Sequence, residues 1–295
     1  MAKLNKSLVT LARQAGGSFK TVSDRMKIAD RLAERLLKMN IQIRDASHLK
    51  TNHIAIYINS RLAENISKRT LQNEMAAIRA VLRLAGKTFM ANPTHEKLSN
   101  DALGISGASR DGTKVAIPAD IYESILDKVR EVDKGAAATM ELSRQLGLRT
   151  EEAIQSVKSL KTWQKAILNQ QEKIRVVFGT KGGRPRDTTI INMDALAKVV
   201  NDAIKIAADN NGKLIDKMGI HLAIERYRNI VRDAGLVGQY APHSLRYAYS
   251  RDALVYHRNK GFSQKEAEAL VSMDLGHGDG RGHYVARIYN KVTIE

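Results

Sequence analysis

Four short segments in the second half of the chain carry side chains suited to phosphodiester chemistry. They supply two arginines, two histidines, one lysine and one tyrosine, namely Arg149, Lys181, His243, Arg246, His277 and Tyr289. Reaction at phosphorus without a metal needs a nucleophile, cations that neutralise the non-bridging oxygens, and an acid for the leaving oxygen. Arginine offers a planar fork that matches phosphate oxygens, which lysine cannot reproduce. This set of residue types therefore predicts chemistry at a phosphodiester.

In their order along the chain, these motifs resemble the tyrosine recombinase (phage integrase) family. The resemblance covers residues 115–289 and rests on Gly-Leu-Arg ending at Arg149, a lysine in a predicted hairpin, Pro-His-Ser-Leu-Arg, Leu-Gly-His and a following tyrosine. Each motif alone is weak, because such short runs occur by chance in many chains, whereas their joint order is specific. The resemblance implies a site-specific DNA recombinase that requires no cofactor.

The family's phosphate-binding roles carry over to matching positions. Arg149 and Arg246 would clamp the scissile phosphate, His243 would assist proton transfer, and His277 would add a further phosphate contact. Taken singly, each residue has a structural alternative: the first arginine could pair with an acidic residue on its own helix, and either histidine could cap a helix. Their combination favours the active-site interpretation.

The same resemblance assigns the reacting groups. Tyr289 would attack phosphorus, giving a 3′-phosphotyrosyl link and a free 5′-hydroxyl, and Lys181 would act as general acid on the leaving oxygen. Glu152 would support the site without reacting. Tyr289 lies twelve residues after His277 and Tyr284 lies seven after it, whereas the usual spacing in the family falls between the two. The context Ala-Arg-Ile-Tyr favours Tyr289, with Tyr284 as the alternative.

A metal site is the less favoured interpretation of the region around Leu-Gly-His. Asp274, His277, Asp279 and His283 have side chains that bind metals, but no strand pattern accompanies them and His277 already has a role. The chain contains no cysteine, which excludes disulfides, thiolate zinc fingers and thiol catalysis. The sequence therefore predicts neither a metal nor another cofactor.

A large excess of basic side chains indicates the chemistry of the partner. Among 295 residues, 48 are Lys or Arg and 31 are Asp or Glu, giving a net charge of +17. Such an excess points to a polyanion, most often nucleic acid. Residues 1–110 hold 19 basic and 8 acidic side chains, a net +11, so we expect the stronger electrostatic contacts there. The predicted DNA-binding residues are Lys68, Arg69, Arg79, Arg83 and Lys87 on one helix, and Arg184 and Arg186 in a turn.

The turn Thr-Lys-Gly-Gly-Arg-Pro-Arg lies between two β-rich runs, residues 173–179 and 187–191, and predicts a β-hairpin. Lys181 is favoured over Arg184 and Arg186 of the same turn as the general acid. The tetrapeptide Gly-Arg-Pro-Arg resembles an AT-hook core, which would place this turn in a minor groove.

Two domains joined by a linker account for the length of the chain. In residues 1–97, apolar positions recur every three or four residues, which predicts helices. Residues 98–114 are rich in Gly and Ser and predict a linker, and residues 115–295 mix helical patterns with the hairpin. The predicted fold class is mainly α with a small β-hairpin or sheet. By resemblance, a helical core-binding domain precedes an α+β tyrosine recombinase catalytic domain.

The resemblance also implies partners and a biological role. The substrate would be double-stranded DNA recombination sites, on which four copies assemble as a homotetramer, and accessory DNA-bending proteins form a further class of partner. Integration and excision of a mobile element is the leading role. DNA inversion, dimer resolution, relaxation of DNA, and a DNA-binding regulator without strand exchange are the alternatives.

Location and assembly are further expectations from the sequence. The chain has no apolar run long enough to cross a membrane and its N-terminus lacks a secretion signal, which predicts a cytoplasmic, nucleoid-associated bacterial protein. Six residues follow Tyr289, so we expect protomers to contact each other through surfaces other than a long C-terminal tail.

Overall fold

The chain divides into two units, Met1–Arg110 and Asp111–Glu295. The structure, a computed structural model, describes residues 3–109 and 111–290. Each unit has its own buried apolar core, one cluster in the first and three in the second. Within the two described stretches, no helix is both long and apolar enough to cross a lipid bilayer.

Amphipathic helices form the first unit, because its apolar residues recur at every third or fourth position. Ser18 accepts a hydrogen bond from the backbone of Thr21, and Ser67 accepts one from Thr70, so each serine caps the helix that follows it. The α-helices described in this unit are α1 (Lys3–Gln14), α2 (Phe19–Lys38), α3 (Thr51–Ala63) and α4 (Lys68–Leu84).

A buried carboxylate joins three of these helices. Glu74 on α4 is 1% exposed and accepts hydrogen bonds from the Tyr57 hydroxyl, from Arg61 and from Arg31, at 2.8, 2.8 and 2.7 Å. Burial acts to raise the pKa of Glu74, but the hydrogen bonds and charges of its partners outweigh this effect and lower it. The ionised carboxylate is thus compensated by two arginines inside the helical core.

Part of the stretch predicted as a linker packs into the first unit. Leu98, Leu103 and Ile105 are buried in its core, and the Arg79 guanidinium donates to the Leu98 carbonyl and to the Asn100 side chain. Burial of each large apolar side chain stabilises a fold by roughly 1.5–3 kcal/mol. The first unit therefore extends past residue 97, because three apolar anchors lie within a stretch rich in Gly and Ser.

The second unit combines helices with one antiparallel hairpin, which confirms the predicted fold class of mainly α structure with a small β-hairpin. Its described helices are α5 (Ala119–Val132), α6 (Lys134–Leu146), α7 (Thr150–Gln155), α8 (Leu160–Leu168), α9 (Met193–Asp209), α10 (Ile220–Asp233), α11 (Ser244–Asn259), α12 (Gln264–Asp274) and α13 (Gly282–Ile288). The strands are β1 (Lys173–Val176) and β2 (Arg186–Thr189).

The register of the hairpin decides which side chains face inward. Val176 pairs with Arg186 and Ile174 pairs with Thr188, and all four side chains are buried. Directly opposed residues of an antiparallel pair share one face of the sheet. Between the strands, residues 177–185 form a turn in which Gly182 and its neighbour adopt left-handed conformations (φ 70° and 68°), as glycine allows.

The end of β2 is tied to two helices of the second unit. Thr189 donates hydrogen bonds from its backbone N–H and its hydroxyl to the Asp274 carboxylate, at 3.2 and 2.8 Å. Its carbonyl accepts a bond from the Tyr249 hydroxyl at 2.9 Å, and His257 contacts the other Asp274 oxygen at 3.2 Å. These bonds fix the hairpin to α11 and α12, which lead into the candidate site.

Candidate active site

Segments that are distant in sequence meet around one tyrosine of the second unit. The turn from α6 to α7, the start of β2, the start of α11 and the stretch from α12 through α13 contribute Arg149, Arg186, His243, Arg246, His277 and Tyr289. Five of the six predicted catalytic residues lie in this cluster. The sixth, Lys181, lies on the exposed turn of the hairpin.

Arg246 is the buried cation of the site. Its side chain is fully buried, and its two terminal nitrogens donate to the backbone carbonyls of Gly147 and Leu275. The guanidinium carbon lies 5.9 Å from the centroid of the Tyr289 ring. Burial, followed by the neighbouring charge of Arg186, lowers the pKa of Arg246 to about 10, so this group keeps its charge at neutral pH.

The Gly147 carbonyl serves both buried arginines of the site, because it also accepts a hydrogen bond from Arg186 at 3.2 Å. Gly147 ends α6 in a left-handed conformation (φ 59°), and a Cβ there would lie 2.5 Å from the Tyr249 ring. Both the backbone angle and the close packing require glycine. This residue therefore fixes the carbonyl that both cations share.

Glu152 is the acidic counterpart of these arginines. Its carboxylate lies 2.6 Å from a guanidinium nitrogen of Arg149 and 2.9 Å from one of Arg186, and it also accepts the Arg149 backbone N–H at 2.8 Å. Burial alone would raise the pKa of Glu152, but the charges of Arg186, Arg246 and Arg149 lower it to about 2. One carboxylate thus faces three guanidinium groups, which leaves the site positively charged.

The Tyr289 hydroxyl lies between two imidazoles. Its oxygen is 3.3 Å from Nε2 of His243 and 3.2 Å from Nε2 of His277, and the tyrosine is 6% exposed. A phenol has a single hydroxyl hydrogen, so it donates to one imidazole and accepts from the other. The arrangement therefore supplies one ring nitrogen that can take the phenolic proton and one that donates a hydrogen bond.

Both imidazoles are held neutral. Loss of hydration, followed by the charges of Arg246 and Arg149, lowers the pKa of His243 to about 4, although part of this residue faces solvent. The same causes lower the pKa of His277 to about 3. A histidine must be neutral to accept a proton, and at pH 7 both of these are.

The two candidate nucleophiles occupy different positions. Tyr289 directly follows α13 and makes both imidazole contacts, whereas Tyr284 lies within α13, half-buried, with its ring centroid 5.3 Å from that of His277. Helix α13 begins at Gly282, so Tyr284 lies in its first turn. The geometry favours Tyr289.

Two arginines predicted to bind DNA are buried instead. Arg186 is 7% exposed because its position opposite Val176 turns it inward, where it bonds to Glu152 and the Asp274 carbonyl. Arg79, also 7% exposed, lies four residues after Met75 on the core side of α4 and holds the Leu98 carbonyl. Both side chains thus lie inside the fold rather than at the surface position that the prediction assumed, and their contact with DNA stays a prediction.

The other predicted DNA-binding residues have surface positions. In the first unit, Lys68, Arg69 and Arg83 are exposed on α4, and Lys87 is half-buried after its end. In the second unit, Arg184 is exposed in the hairpin turn. These side chains carry the charge that the prediction requires, and their contact with DNA stays a prediction.

The acidic and histidine residues near Leu-Gly-His are dispersed among other partners. Asp274 is buried against Thr189 and His257, and the Asp279 carboxylate bonds to the backbone of Gly280. Residues 3–109 and 111–290 contain no group of three or more His, Cys, Asp or Glu side chains arranged to hold a metal ion. The Asp274 carboxylate thus acts within the fold.

Sequence reasoning did not place Arg186 or Tyr247 in the catalytic cluster. Arg186 bonds directly to Glu152, and strand alternation could have indicated its buried position, since it lies two residues before the buried Thr188. Tyr247, which immediately follows Arg246, packs against the Tyr289 ring with 4.5 Å between centroids. Nothing in its spacing along the sequence indicates this contact.

Comparison with protein-family models places the site in a known setting. Residues 104–252 match the model described as integrase, and residues 1–91 match the model described as phage integrase, N-terminal. The first match alone covers just over half of the chain. The chain belongs to the integrase family of tyrosine recombinases. As a member of this family, it is a tyrosine-type site-specific recombinase, which confirms the predicted enzyme class.

Solved structures share the integrase fold. A lambda integrase dimer bound to a COC′ core site is 17% identical with a TM-score of 0.60, and the match covers 99% of this chain and 79% of that one. The Tn1549 transposon integrase in complex with transposon right end DNA is 13% identical with a TM-score of 0.59, covering 100% and 96%. Comparison with curated protein sequences gave no match. At these identities the structures support the fold of this integrase.

Proposed function

We propose that this recombinase cleaves and rejoins double-stranded DNA at specific sites through a 3′-phosphotyrosyl intermediate on Tyr289. The observation that carries the proposal is the position of the Tyr289 hydroxyl, held between the neutral imidazoles of His243 and His277 and beside the buried guanidinium of Arg246. A phenol with a guanidinium beside its ring and proton acceptors next to its hydroxyl is suited to attack on an anionic ester.

In the proposed cleavage step, the Tyr289 oxygen forms a bond to phosphorus and the bond from phosphorus to the 5′-oxygen breaks. The phenolic proton passes to whichever imidazole accepts the hydroxyl hydrogen bond. The 5′-oxygen leaves with a proton from Lys181. Because the new bond is again a phosphodiester, a DNA 5′-hydroxyl reverses the step and restores the tyrosine, without an external energy source.

Arg149 and Arg246 would stabilise the charge that builds up on the non-bridging oxygens. The Arg149 side chain is 25% exposed and bonds to Glu152 through one nitrogen, so it reaches solvent at the edge of the site. Arg246 is buried in the site, and two backbone carbonyls fix its guanidinium. Glu152 holds Arg149 in place and stays ionised.

Lys181 would complete the site when DNA is bound. It is exposed in the turn between β1 and β2, next to two glycines in left-handed conformations that give this turn freedom to change shape. Exposed Arg184 in the same turn would contact a phosphate or the minor groove. The hairpin would thus deliver the acid together with its DNA contact.

Strand exchange by four protomers on two DNA sites is the proposed assembly, and integration and excision of a mobile element the proposed role. Solved relatives of the same fold include a lambda integrase tetramer bound to a Holliday junction and a transposon integrase on transposon end DNA. Exposed Lys68, Arg69 and Arg83 would bind phosphates from the first unit. DNA inversion or dimer resolution would use the same chemistry, with accessory DNA-bending proteins as further partners.

Covalent trapping on nicked DNA tests the proposal. The protein is incubated with nicked duplex fragments covering the DNA on either side of its own coding region, since loss of the short strand beyond the nick prevents rejoining. The mixture is denatured, and the peptide that carries a nucleotide is identified by mass spectrometry. We expect the adduct on Tyr289. Tyr289→Phe should abolish it while footprints on the same fragments persist, and Tyr284→Phe, the matched control, should retain it.

The outcomes separate the candidate functions. An adduct that survives in Tyr289→Phe and disappears in Tyr284→Phe would move the nucleophile to Tyr284. Site-specific footprints without any adduct would favour a DNA-binding regulator. Relaxation of supercoiled DNA by a protein that never joins two sites would indicate a topoisomerase-like activity.

A further inference from the structure

The ring of the proposed nucleophile rests on a second tyrosine. Tyr247, on α11, is 4% exposed, and its ring centroid lies 4.5 Å from that of Tyr289 with 41° between the planes. It also contacts the His243 ring edge-on at 5.6 Å. Tyr247 therefore packs against both Tyr289 and the His243 imidazole, which contacts the Tyr289 hydroxyl. Burial, followed by the neighbouring Tyr289 and Tyr284, raises the pKa of Tyr247 to about 12, so it stays protonated.

The chain at the start of the second unit closes over the other end of Tyr247. A Cβ added to Gly112 would lie 2.2 Å from the Tyr247 hydroxyl oxygen and 3.0 Å from the carbonyl oxygen of Ile288, the residue before the nucleophile. The Asp111 carboxylate lies 3.6 Å from the guanidinium of Arg287, also on α13. Residues 111 and 112 thus lie directly against the helix that presents Tyr289.

The next residues hold the loop that presents His243. Lys114 donates from its ammonium group to the Gly238 carbonyl at 2.6 Å, and the Val115 backbone N–H donates to the Gln239 carbonyl at 3.3 Å. The same loop continues to Tyr240, whose carbonyl accepts the Ser244 hydroxyl at 3.0 Å where α11 begins. One five-residue segment therefore touches both elements that position the tyrosine and its imidazole.

We propose that Asp111, Gly112, Lys114 and Val115, together called the brace, act with Tyr247 to position the Tyr289 hydroxyl for attack. The first residues of the second unit would then control the rate of covalent bond formation. The inference rests on the proposed function. Glycine at 112 is required because the brace must approach Tyr247 and the Ile288 carbonyl too closely for any side chain. Displacements of about 1 Å at a reacting atom can slow a reaction about 100-fold.

Gly112→Ala tests the brace, with Thr113→Ala as the matched control on the exposed neighbouring residue. At saturating nicked DNA, we expect Gly112→Ala to form the covalent adduct about 100-fold more slowly than the unaltered protein, at unchanged DNA affinity. Thr113→Ala should form the adduct at the same rate as the unaltered protein. Adding Tyr247→Phe to Gly112→Ala should restore about tenfold of the rate, because it removes the oxygen that the new methyl group meets.

A measurement without DNA keeps the test independent of the reaction. With 3-fluorotyrosine at position 289, Gly112→Ala should shift the ¹⁹F resonance, and Thr113→Ala should leave it in place, while Trp163 fluorescence reports that both variants are folded. An unshifted resonance, or an adduct rate equal to that of the unaltered protein, overturns the brace. A shifted resonance in a protein that never forms an adduct supports the brace and refutes the proposed function instead.

Discussion

Replacement of Glu152 by glutamine removes the carboxylate that faces the three arginines of the site. Glu152→Gln keeps the size of the side chain and loses its charge, so the buried Arg186, whose side chain is 5% exposed, keeps its positive charge without its ionic partner. Arg149 loses the carboxylate that holds its guanidinium. We expect lower stability of the second unit and slower DNA cleavage.

Two routes give the size of the effect on stability. A pKa lowered from 4.5 to about 2 corresponds to about 3 kcal/mol of preference for the ionised carboxylate in the folded protein. Removal of one partner from a buried ion pair typically costs about 3–5 kcal/mol. The two routes together predict that Glu152→Gln destabilises the second unit by about 3–5 kcal/mol at pH 7.

Urea unfolding measures this loss. Trp163, the single tryptophan, is buried in the second unit, so its fluorescence follows the unfolding of that unit. Glu151→Gln is the matched control, because Glu151 is an exposed acid one residue earlier on the same helix. The control should change the free energy of unfolding by less than about 0.5 kcal/mol.

The pH dependence provides the sharper criterion. Because the folded pKa lies below the unfolded value, the carboxylate contributes its full stability above about pH 5 and loses it as pH falls from 4.5 towards about 2. The difference between the original protein and Glu152→Gln should therefore vanish near pH 2. A difference that is below about 1 kcal/mol at pH 7, or that does not change with pH, would refute the electrostatic role of Glu152.

Three further predictions follow from the charges described above. The pKa values of His243 and His277 are about 4 and 3, so both imidazoles are neutral and able to accept the phenolic proton above about pH 5. In that range, kcat/KM for cleavage should not depend on the titration of these groups. A rise of kcat/KM with an apparent pKa near 6.5 would contradict this. Arg184→Gln should weaken DNA binding and lower the slope of log affinity against log salt concentration by about 1, as measured by binding isotherms. Arg186→Gln should instead destabilise the second unit by about 3–5 kcal/mol, as measured by Trp163 fluorescence during unfolding. Glu74→Gln should destabilise the first unit by a similar amount, about 3–5 kcal/mol, seen as faster hydrogen exchange in its helices; unchanged exchange would show that the buried pairs contribute little.

Order and residue type were sufficient to predict much of the site. The motifs around Arg149, His243, Arg246 and His277 each begin or end a helix in the second unit, and the structure gathers them around Tyr289. The hairpin and the Ser263 cap of α12 also follow from local signals, namely β-rich runs around a glycine turn and the Ser-x-x-Glu pattern.

The inward direction of Arg79 and Arg186 could not be predicted from the sequence. A count of basic residues cannot distinguish Arg184, which is exposed, from Arg186, whose direction depends on the pairing of β2 with β1. The same limit applied to Arg79, whose partner, the Leu98 carbonyl, lies nineteen residues away. Contacts between residues remote in sequence, such as that of Gly112 with Tyr247, depend on the packing of the whole unit and leave no local periodicity.

The carbonyl of Gly147, shared by Arg186 and Arg246, has a consequence for how a phosphate is recognised. Two long side chains normally choose their rotamers independently, each with its own entropy. Here both guanidinium groups are anchored to one peptide oxygen, so the spacing between two positive charges is set by stiff backbone geometry. A ligand that displaces one guanidinium from the Gly147 carbonyl also disturbs the hydrogen bond that anchors the other. The site should therefore respond to its phosphate as a single cooperative unit, engaged or disengaged as a whole.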